Sequence, residues 1–282
     1  MDFLEAIILG LVQGLTEFLP ISSSAHLRIL GDVAGWGDPG ATFTAITQLG
    51  TETAVLIYFW KDITRIIGAW FRSFGARGGK RSAGIQKGDP DVRMGWLIII
   101  GTVPIVVVGY LFQATIRHEL RSLWFVAIVL IVFGLLLWLA DWLGRKTKEL
   151  DHLSYRDGIL IGVAQMLALI PGVSRSGASI SAGLALGYTR TAAARFAFLL
   201  AVPAVFGSGL YELLTSFREP GSNAYGPLET LAATVVAFAV GFAIIAFLMR
   251  YLSKGSYLPF VIYRLVLGAT LIVLLSTGVL QP

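Results

Sequence analysis

Four apolar runs, at residues 96–112, 123–143, 231–249 and 260–275, restrict this chain more than any other feature. Each approaches the roughly 20 residues that a helix needs to cross a bilayer, and their lengths suit helices rather than the strands of a barrel. With 56% hydrophobic and 14% charged residues, and a mean hydropathy of +0.76, the chain is too apolar for a domain with a solvated surface. The expected fold is an all-α polytopic integral membrane protein. No stretch has the composition of a linker, so residues 1–282 read as a single membrane domain.

The net charge of +5 does not call for a nucleic acid partner, because the Lys and Arg residues concentrate in loops beside apolar runs. The polar stretch 61–93 carries eight of them around a Gly-rich centre and reads as a mobile cytoplasmic loop. From there Arg117 and Arg121 fall outside, Arg145, Lys146, Lys148 and Arg156 inside, Arg218 outside, and Arg250 and Lys254 inside. Asp2 and Glu5 stand where a signal peptide would carry Lys or Arg, so no cleaved leader is expected. There is no Cys, which leaves oxygen atoms and His as the only strong metal ligands.

This alternation of sides holds only if residues 158–187 enter and leave on the cytoplasmic face. A matching hairpin at residues 1–35 would enter from the external face, ahead of a span at 43–60. Each hairpin has a breaker, Pro20 in one and Pro171-Gly172 in the other. The two segments also resemble each other: Leu9-Gly10-Leu11-Val12-Gln13 pairs with Ile161-Gly162-Val163-Ala164-Gln165, and Ile21-Ser22-Ser23-Ser24 with Val173-Ser174-Arg175-Ser176. The offset is constant, since 162 − 10, 165 − 13 and 174 − 22 all give 152. Interrupted segments at corresponding places in two halves signal an inverted repeat with a site near the midplane. The expectation is repeat one at about 1–112, repeat two at about 122–282, two re-entrant hairpins and about six full transmembrane helices.

The first hairpin reads Gln13-Gly14-Leu15-Thr16-Glu17-Phe18-Leu19-Pro20-Ile21-Ser22-Ser23-Ser24-Ala25-His26, with a carboxylate, three hydroxyls and an imidazole in apolar surroundings. An ionisable group at membrane depth costs about 2.5–3.5 kcal/mol, so such groups are candidates for function. The plainer role for Ser22, Ser23 and Ser24 is to cap a helix after Pro20, which is compatible with anion binding at the same helix start. The second hairpin reads Pro171-Gly172-Val173-Ser174-Arg175-Ser176-Gly177-Ala178-Ser179. Its Arg175 offers a guanidinium fork matched to phosphate oxygens, and its plainer role is as counter-ion to Glu17. Together they supply an acid or base (Glu17), a hydroxyl nucleophile (Ser22, Ser23 or Ser24), a proton carrier (His26) and a phosphate clamp (Arg175), an inventory that fits phosphoryl transfer. Gln13, Ser22, Ser24, Gly172, Ser174, Ser176 and Gly177 read as substrate-binding positions.

These two motifs resemble those of the bacterial undecaprenyl-diphosphate phosphatase family, also called the bacitracin-resistance family. The likeness extends to Gln48-Leu49-Gly50, to residues 198–203 and to Ile262-Tyr263-Arg264. It implies hydrolysis of undecaprenyl diphosphate to undecaprenyl phosphate, which recycles the lipid carrier of cell-wall precursors and confers bacitracin resistance. It also implies an inverted-repeat helical fold, a homodimer in the bacterial inner (plasma) membrane, a site opening externally, and activity linked to Mg2+ or Ca2+. Glu17, Ser23, His26, Ser174 and Arg175 match family residues tied to activity, with Ser23 in the nucleophile position and water left open as the attacking group. Glu17 is the candidate ion ligand, although no compact carboxylate cluster specifies a site.

Some members carry Glu where this chain has Gln13, and many carry Gly where it has Ala25. Gln13 can hydrogen-bond but cannot act as an acid. Glu52 stands where the family often has an aliphatic residue, and with Gln48 it is a candidate cavity residue that could supply a second carboxylate. His118 and His152 lie among charges and read as solvated. No His follows Arg175, unlike the type-2 phosphatidic acid phosphatases. The competing reading is a secondary transporter or flippase for an anion or lipid-linked phosphate, since broken helices around a midplane Arg also describe transporters.

Overall fold

A computed structural model describes residues 3–75, 88–112, 122–219 and 223–281. Arg77, Lys80, Arg81, Lys87, Arg117 and Arg121, used above to assign sides, and His118, read above as solvated, lie outside them. Among the described residues there are eleven α-helices and no strand. They are α1 (Phe3–Thr16), α2 (Ser23–Val33), α3 (Gly40–Tyr58), α4 (Trp60–Gly75), α5 (Pro90–Leu111), α6 (Leu123–Leu143), α7 (Tyr155–Met166), α8 (Arg175–Ala185), α9 (Arg190–Arg218), α10 (Pro227–Leu252) and α11 (Leu258–Ser276). The protein is an all-α polytopic membrane protein. Helix starts follow local chemistry: Asp89 caps α5 ahead of Pro90, Ser154 caps α7 and Thr189 caps α9.

Five helices, α5, α6, α9, α10 and α11, are long and apolar enough to cross a membrane. The expected span at 43–60 is met by α3, which is 19 residues long but is not among the five. Its run of Thr residues, with Gln48 and Glu52, lowers its hydropathy, and much of it is buried against other helices. The expected loop at 61–93 is corrected in part, because residues 60–75 form α4. Trp60, Ile67, Phe71 and Phe74 are exposed along α4, while Ile66 and Ala69 are buried. Such a helix, apolar on an outward stripe and charged elsewhere, suits a membrane interface. Arg65 of α4 pairs with Asp91 at 3.3 Å and Asp62 with Arg195 at 2.5 Å, so the starts of α5 and α9 lie beside α4.

The hairpin helices are short. At 1.5 Å per residue, the 14 residues of α1 and 12 of α7 reach about 21 and 18 Å, less than the roughly 30 Å hydrocarbon core. The second hairpin is tied shut at its base, where Tyr188 Oη, beyond α8, donates to Asp157 Oδ2 of α7 at 2.7 Å. Lys148 Nζ reaches the same oxygen at 3.3 Å. Burial works against the Asp157 carboxylate, but the hydrogen bonds from Tyr188 and Lys148 prevail and hold its pKa below the ordinary value.

The two hairpins correspond in detail. The starts of α2 and α8 differ by 175 − 23 = 152, and Ser22 and Ser174 just before them have φ of 74° and 71°. Left-handed backbone at a non-glycine residue costs about 1–3 kcal/mol and is kept where surrounding structure enforces it. Gly10 lies against the backbone of Ala233 and Gly162 against that of Gly101, so α1 follows α10 as α7 follows α5. The long helices run in opposite directions: Thr42 bonds Glu212 while Gly209 meets Ala45 and Leu49, which makes α3 and α9 antiparallel. Because a side chain at Gly162 would strike the Gly101 carbonyl, Gly162→Val should force α7 off α5. A loss of about 1–3 kcal/mol is expected, read as a lower unfolding midpoint in detergent; an unchanged midpoint would refute this contact.

Candidate active site

The hairpin tips meet each other. Glu17, in the turn after α1, receives Arg175 Nη2 from the start of α8 on its Oε1 at 2.5 Å. Its Oε2 accepts from Ser23 Oγ at 2.6 Å and from Gln13 Nε2 at 2.7 Å. The same Arg175 Nη2 reaches Gln48 Oε1 of α3 at 3.2 Å. Glu17 and Arg175 side chains are only 7% and 16% exposed, so this ion pair is poorly screened and each charge depends on the other. Ser23 is the first residue of α2, where helical N–H groups are free. Ser22 makes no side-chain cap on that helix, whereas the corresponding Ser174 accepts from Gly177 N at 3.1 Å. The open helix start is therefore the one that carries Ser23, and it favours an anion.

A cavity of about 530 Å3 opens from this cluster, lined there by Glu17, Ser22, Ser23, Ser24, Gln48, Ser174 and Arg175. Thr44 and Glu212 also line it, and its apolar wall includes Ile105, Val106, Tyr110, Leu169 and Tyr211. It lies toward the first half of α3 and the last turns of α5 and α9, the end of the molecule away from α4.

The structure brings Glu17, Ser23, Arg175, Gln13 and Gln48 together, and it places other candidates differently. His26 is not in the cavity wall. Its Nδ1 lies 2.7 Å from the Ser22 carbonyl, which can only accept, so Nδ1 carries the proton; Nε2 then accepts from Tyr263 Oη, also at 2.7 Å. His26 thus links the strained Ser22 turn to Tyr263 of α11. Gly172, with φ of 96°, packs on Val126 and Val129 of α6, and Gly177 packs on Ser174 and Arg264, so neither gives a ligand room to approach. Ser176 Oγ faces Ser174 Oγ at 3.1 Å and donates to the Leu19 carbonyl at 3.2 Å, tying the tips together. Glu52 is 1% exposed, outside the cavity wall, and its Oε1 has no hydrogen-bond partner. His152 is solvated as expected, 65% exposed beside Asp151.

Arg264 is the residue of this region whose part the sequence did not reveal. Fully buried in α11, it donates from Nη1 to the Pro20 and Val173 carbonyls, both at 3.1 Å, and from Nη2 to the Gly172 carbonyl at 2.8 Å. Nε bonds the Leu130 carbonyl of α6 at 3.1 Å. One guanidinium thus holds both hairpin tips to α6 and α11. An Arg inside the apolar run 260–275 was the available signal.

A family model described as bacitracin resistance protein BacA matches residues 6–270. The chain belongs to this family. Micrococcus luteus has a relative named undecaprenyl-diphosphatase that is 64% identical over 283 residues, covering 100% of both chains. One from Clavibacter michiganensis subsp. michiganensis with the same name is 63% identical, covering 99% of this chain and 98% of its own. Agrobacterium fabrum has an undecaprenyl-diphosphatase 2 that is 57% identical, covering 100% and 98%.

The donor set does not form an ion site by itself. Among the described residues no three His, Cys, Asp or Glu side chains lie together. Both Glu17 oxygens are already engaged, and Glu52 stands behind the cavity wall.

Proposed function

We propose that this chain hydrolyses undecaprenyl diphosphate to undecaprenyl phosphate and inorganic phosphate, recycling the lipid carrier for cell-wall synthesis and so conferring bacitracin resistance. The full-length relatives carry this activity in their names. The carrying observation is Ser23 Oγ donating to Glu17 at 2.6 Å beside Arg175, in a cavity lined by both polar and apolar side chains. A transporter or flippase needs binding groups alone and leaves this nucleophile–base pair without a task.

In this reading the diphosphate draws Arg175 from Glu17 onto its terminal phosphate. Ser23 Oγ attacks that phosphorus in line with the bridging oxygen while Glu17 takes the Ser23 proton. The new P–Oγ bond forms, the bridging P–O bond breaks, and undecaprenyl phosphate leaves with the electron pair and the proton from Glu17. Water then attacks the phosphoseryl phosphorus, with Glu17 accepting its proton and returning it to Ser23 Oγ as phosphate departs. Arg175 and the free N–H groups of α2 offset the developing charge. No step is routed through a metal. The residues present do not by themselves fit the Mg2+ or Ca2+ implied by the resemblance, since both Glu17 oxygens are held by Gln13, Ser23 and Arg175.

The proposal places the homodimer in the bacterial inner membrane with the cavity opening externally. The Lys and Arg residues beside the α6–α7 and α10–α11 connections support that orientation. It also reads the chain as an inverted repeat divided between α6 and α7 rather than at 112–122. The matched contacts of α1 with α10 and of α7 with α5 support this, since they make α10 the counterpart of α5 and α11 that of α6.

Phosphate release from undecaprenyl diphosphate by purified protein in detergent tests the assignment. Ser23→Ala should lose on the order of 10³-fold in kcat, in line with removal of a group that acts only in the transition state. Wild-type protein without release would refute the function, and Ser23→Ala near wild-type rate would refute the nucleophile.

A further inference from the structure

Small residues inside membrane helices normally mark places where another helix comes close. Gly10, Gly50 and Gly162 obey this, since each lies against the backbone of a neighbouring helix. Gly207 of α9 does not: a Cβ added there would meet no atom within 4 Å. A mid-helix glycine is unfavourable relative to alanine, and here no close helix packing offsets it. Gly207 does line the cavity that holds Ser23 and Arg175.

The helices on either side explain the empty space. α5 and α9 are in contact at Gly101, where an added Cβ would lie 2.8 Å from Leu200 Cδ1. Each then has a proline three residues on, Pro104 and Pro203, which removes a backbone hydrogen bond and bends a helix. Beyond the prolines the facing residues become cavity wall. Val106 is 54% exposed, Tyr110 81% and Tyr211 55%, so the same side chains belong to the cavity and to the lipid-facing surface.

We infer that the gap between α5 and α9 beyond Pro104 and Pro203 is a lateral door through which the polyprenyl chain of the substrate passes from the cavity into the bilayer, with Gly207 keeping it open. The inference rests on the functional reading above and adds the route of the lipid. A cavity of about 530 Å3 has the size of a small-ligand site. It accommodates a diphosphate and the first isoprene units, and the remainder of a long chain has to leave sideways while the head group stays at Arg175.

Gly207→Phe directs a ring into the open space beside Gly207, where a Cβ meets nothing within 4 Å, and Gly207→Ala controls for helix propensity. Hydrolysis of undecaprenyl diphosphate and of farnesyl diphosphate is compared in detergent, together with binding of undecaprenyl phosphate and farnesyl phosphate. For Gly207→Phe the long-to-short ratio of kcat/KM should fall at least tenfold through KM, and undecaprenyl phosphate should bind at least tenfold more weakly. Gly207→Ala should change either ratio less than threefold. Equal losses on both chain lengths, or no loss on either, would overturn the door. If wild-type protein hydrolyses neither diphosphate yet Gly207→Phe selectively weakens undecaprenyl phosphate binding, the phosphatase reading falls and the door stands.

Discussion

Arg264→Met should abolish phosphate release and lower the unfolding midpoint, although Arg264 does not line the cavity. Its guanidinium donates to carbonyls of Pro20, Gly172 and Val173 at the two hairpin tips and of Leu130 in α6. Each carbonyl left without a donor in a dry interior costs about 1–3 kcal/mol, so a loss of at least 3–5 kcal/mol is expected. The catalytic loss follows from geometry: Pro20 and Val173 lie within four residues of Ser23 and Arg175, and a 1 Å error in relative position costs about 10²-fold. Arg264→Lys separates the two effects. An ammonium retains the charge but not the planar fork that addresses several carbonyls at once, so this variant should fold more stably than Arg264→Met while kcat stays at least 10²-fold down. Unfolding midpoints and phosphate release measured together decide it. A methionine variant with wild-type midpoint and rate would show that the tips are held by something else.

The parts of the site legible in the sequence were those expressed within a short stretch of chain. The Pro and Gly breakers and the alternation of Lys and Arg sides pointed to both hairpins, the constant offset of the Ser22 and Ser174 motifs matched them to each other, and the cost of ions in an apolar run pointed to Glu17 and Arg175. What escaped depended on partners distant in the chain. The hydroxyls flanking His26 were visible locally, while the hydrogen bond of its ring to Tyr263, 237 residues away, was not. Gly172 and Gly177 looked like room for a ligand because they flank Arg175. The room is taken by α6 and by Arg264, which no local pattern reveals. In the stretch 61–93 the Lys and Arg residues dominated the reading, while the apolar positions of α4 carried a helix within it. Charge identifies the side of the membrane, and the apolar period identifies the helix.

Arg175→Ala should lower kcat on the order of 10³-fold, the scale for removing a cationic clamp from a transferring phosphoryl group. It should also destabilise the fold by about 3–5 kcal/mol, because it leaves the Glu17 carboxylate buried at 7% exposure without its ion partner. Glu17→Gln should match the catalytic loss for a different reason, since it removes the base that receives the Ser23 proton at 2.6 Å. The two substitutions are not independent. With Glu17→Gln present, Arg175→Ala no longer strands a negative charge, so the double variant should unfold at a higher temperature than Arg175→Ala alone while remaining inactive. A double-mutant cycle measured both by unfolding and by phosphate release separates the two roles of this pair. Coupling in stability together with loss of activity in every variant is the result expected of an ion pair that holds the resting site and parts when phosphate arrives. Additive stabilities would mean that the charges do not sense each other, and an Arg175→Ala protein keeping a tenth of wild-type kcat would remove the clamp from the mechanism.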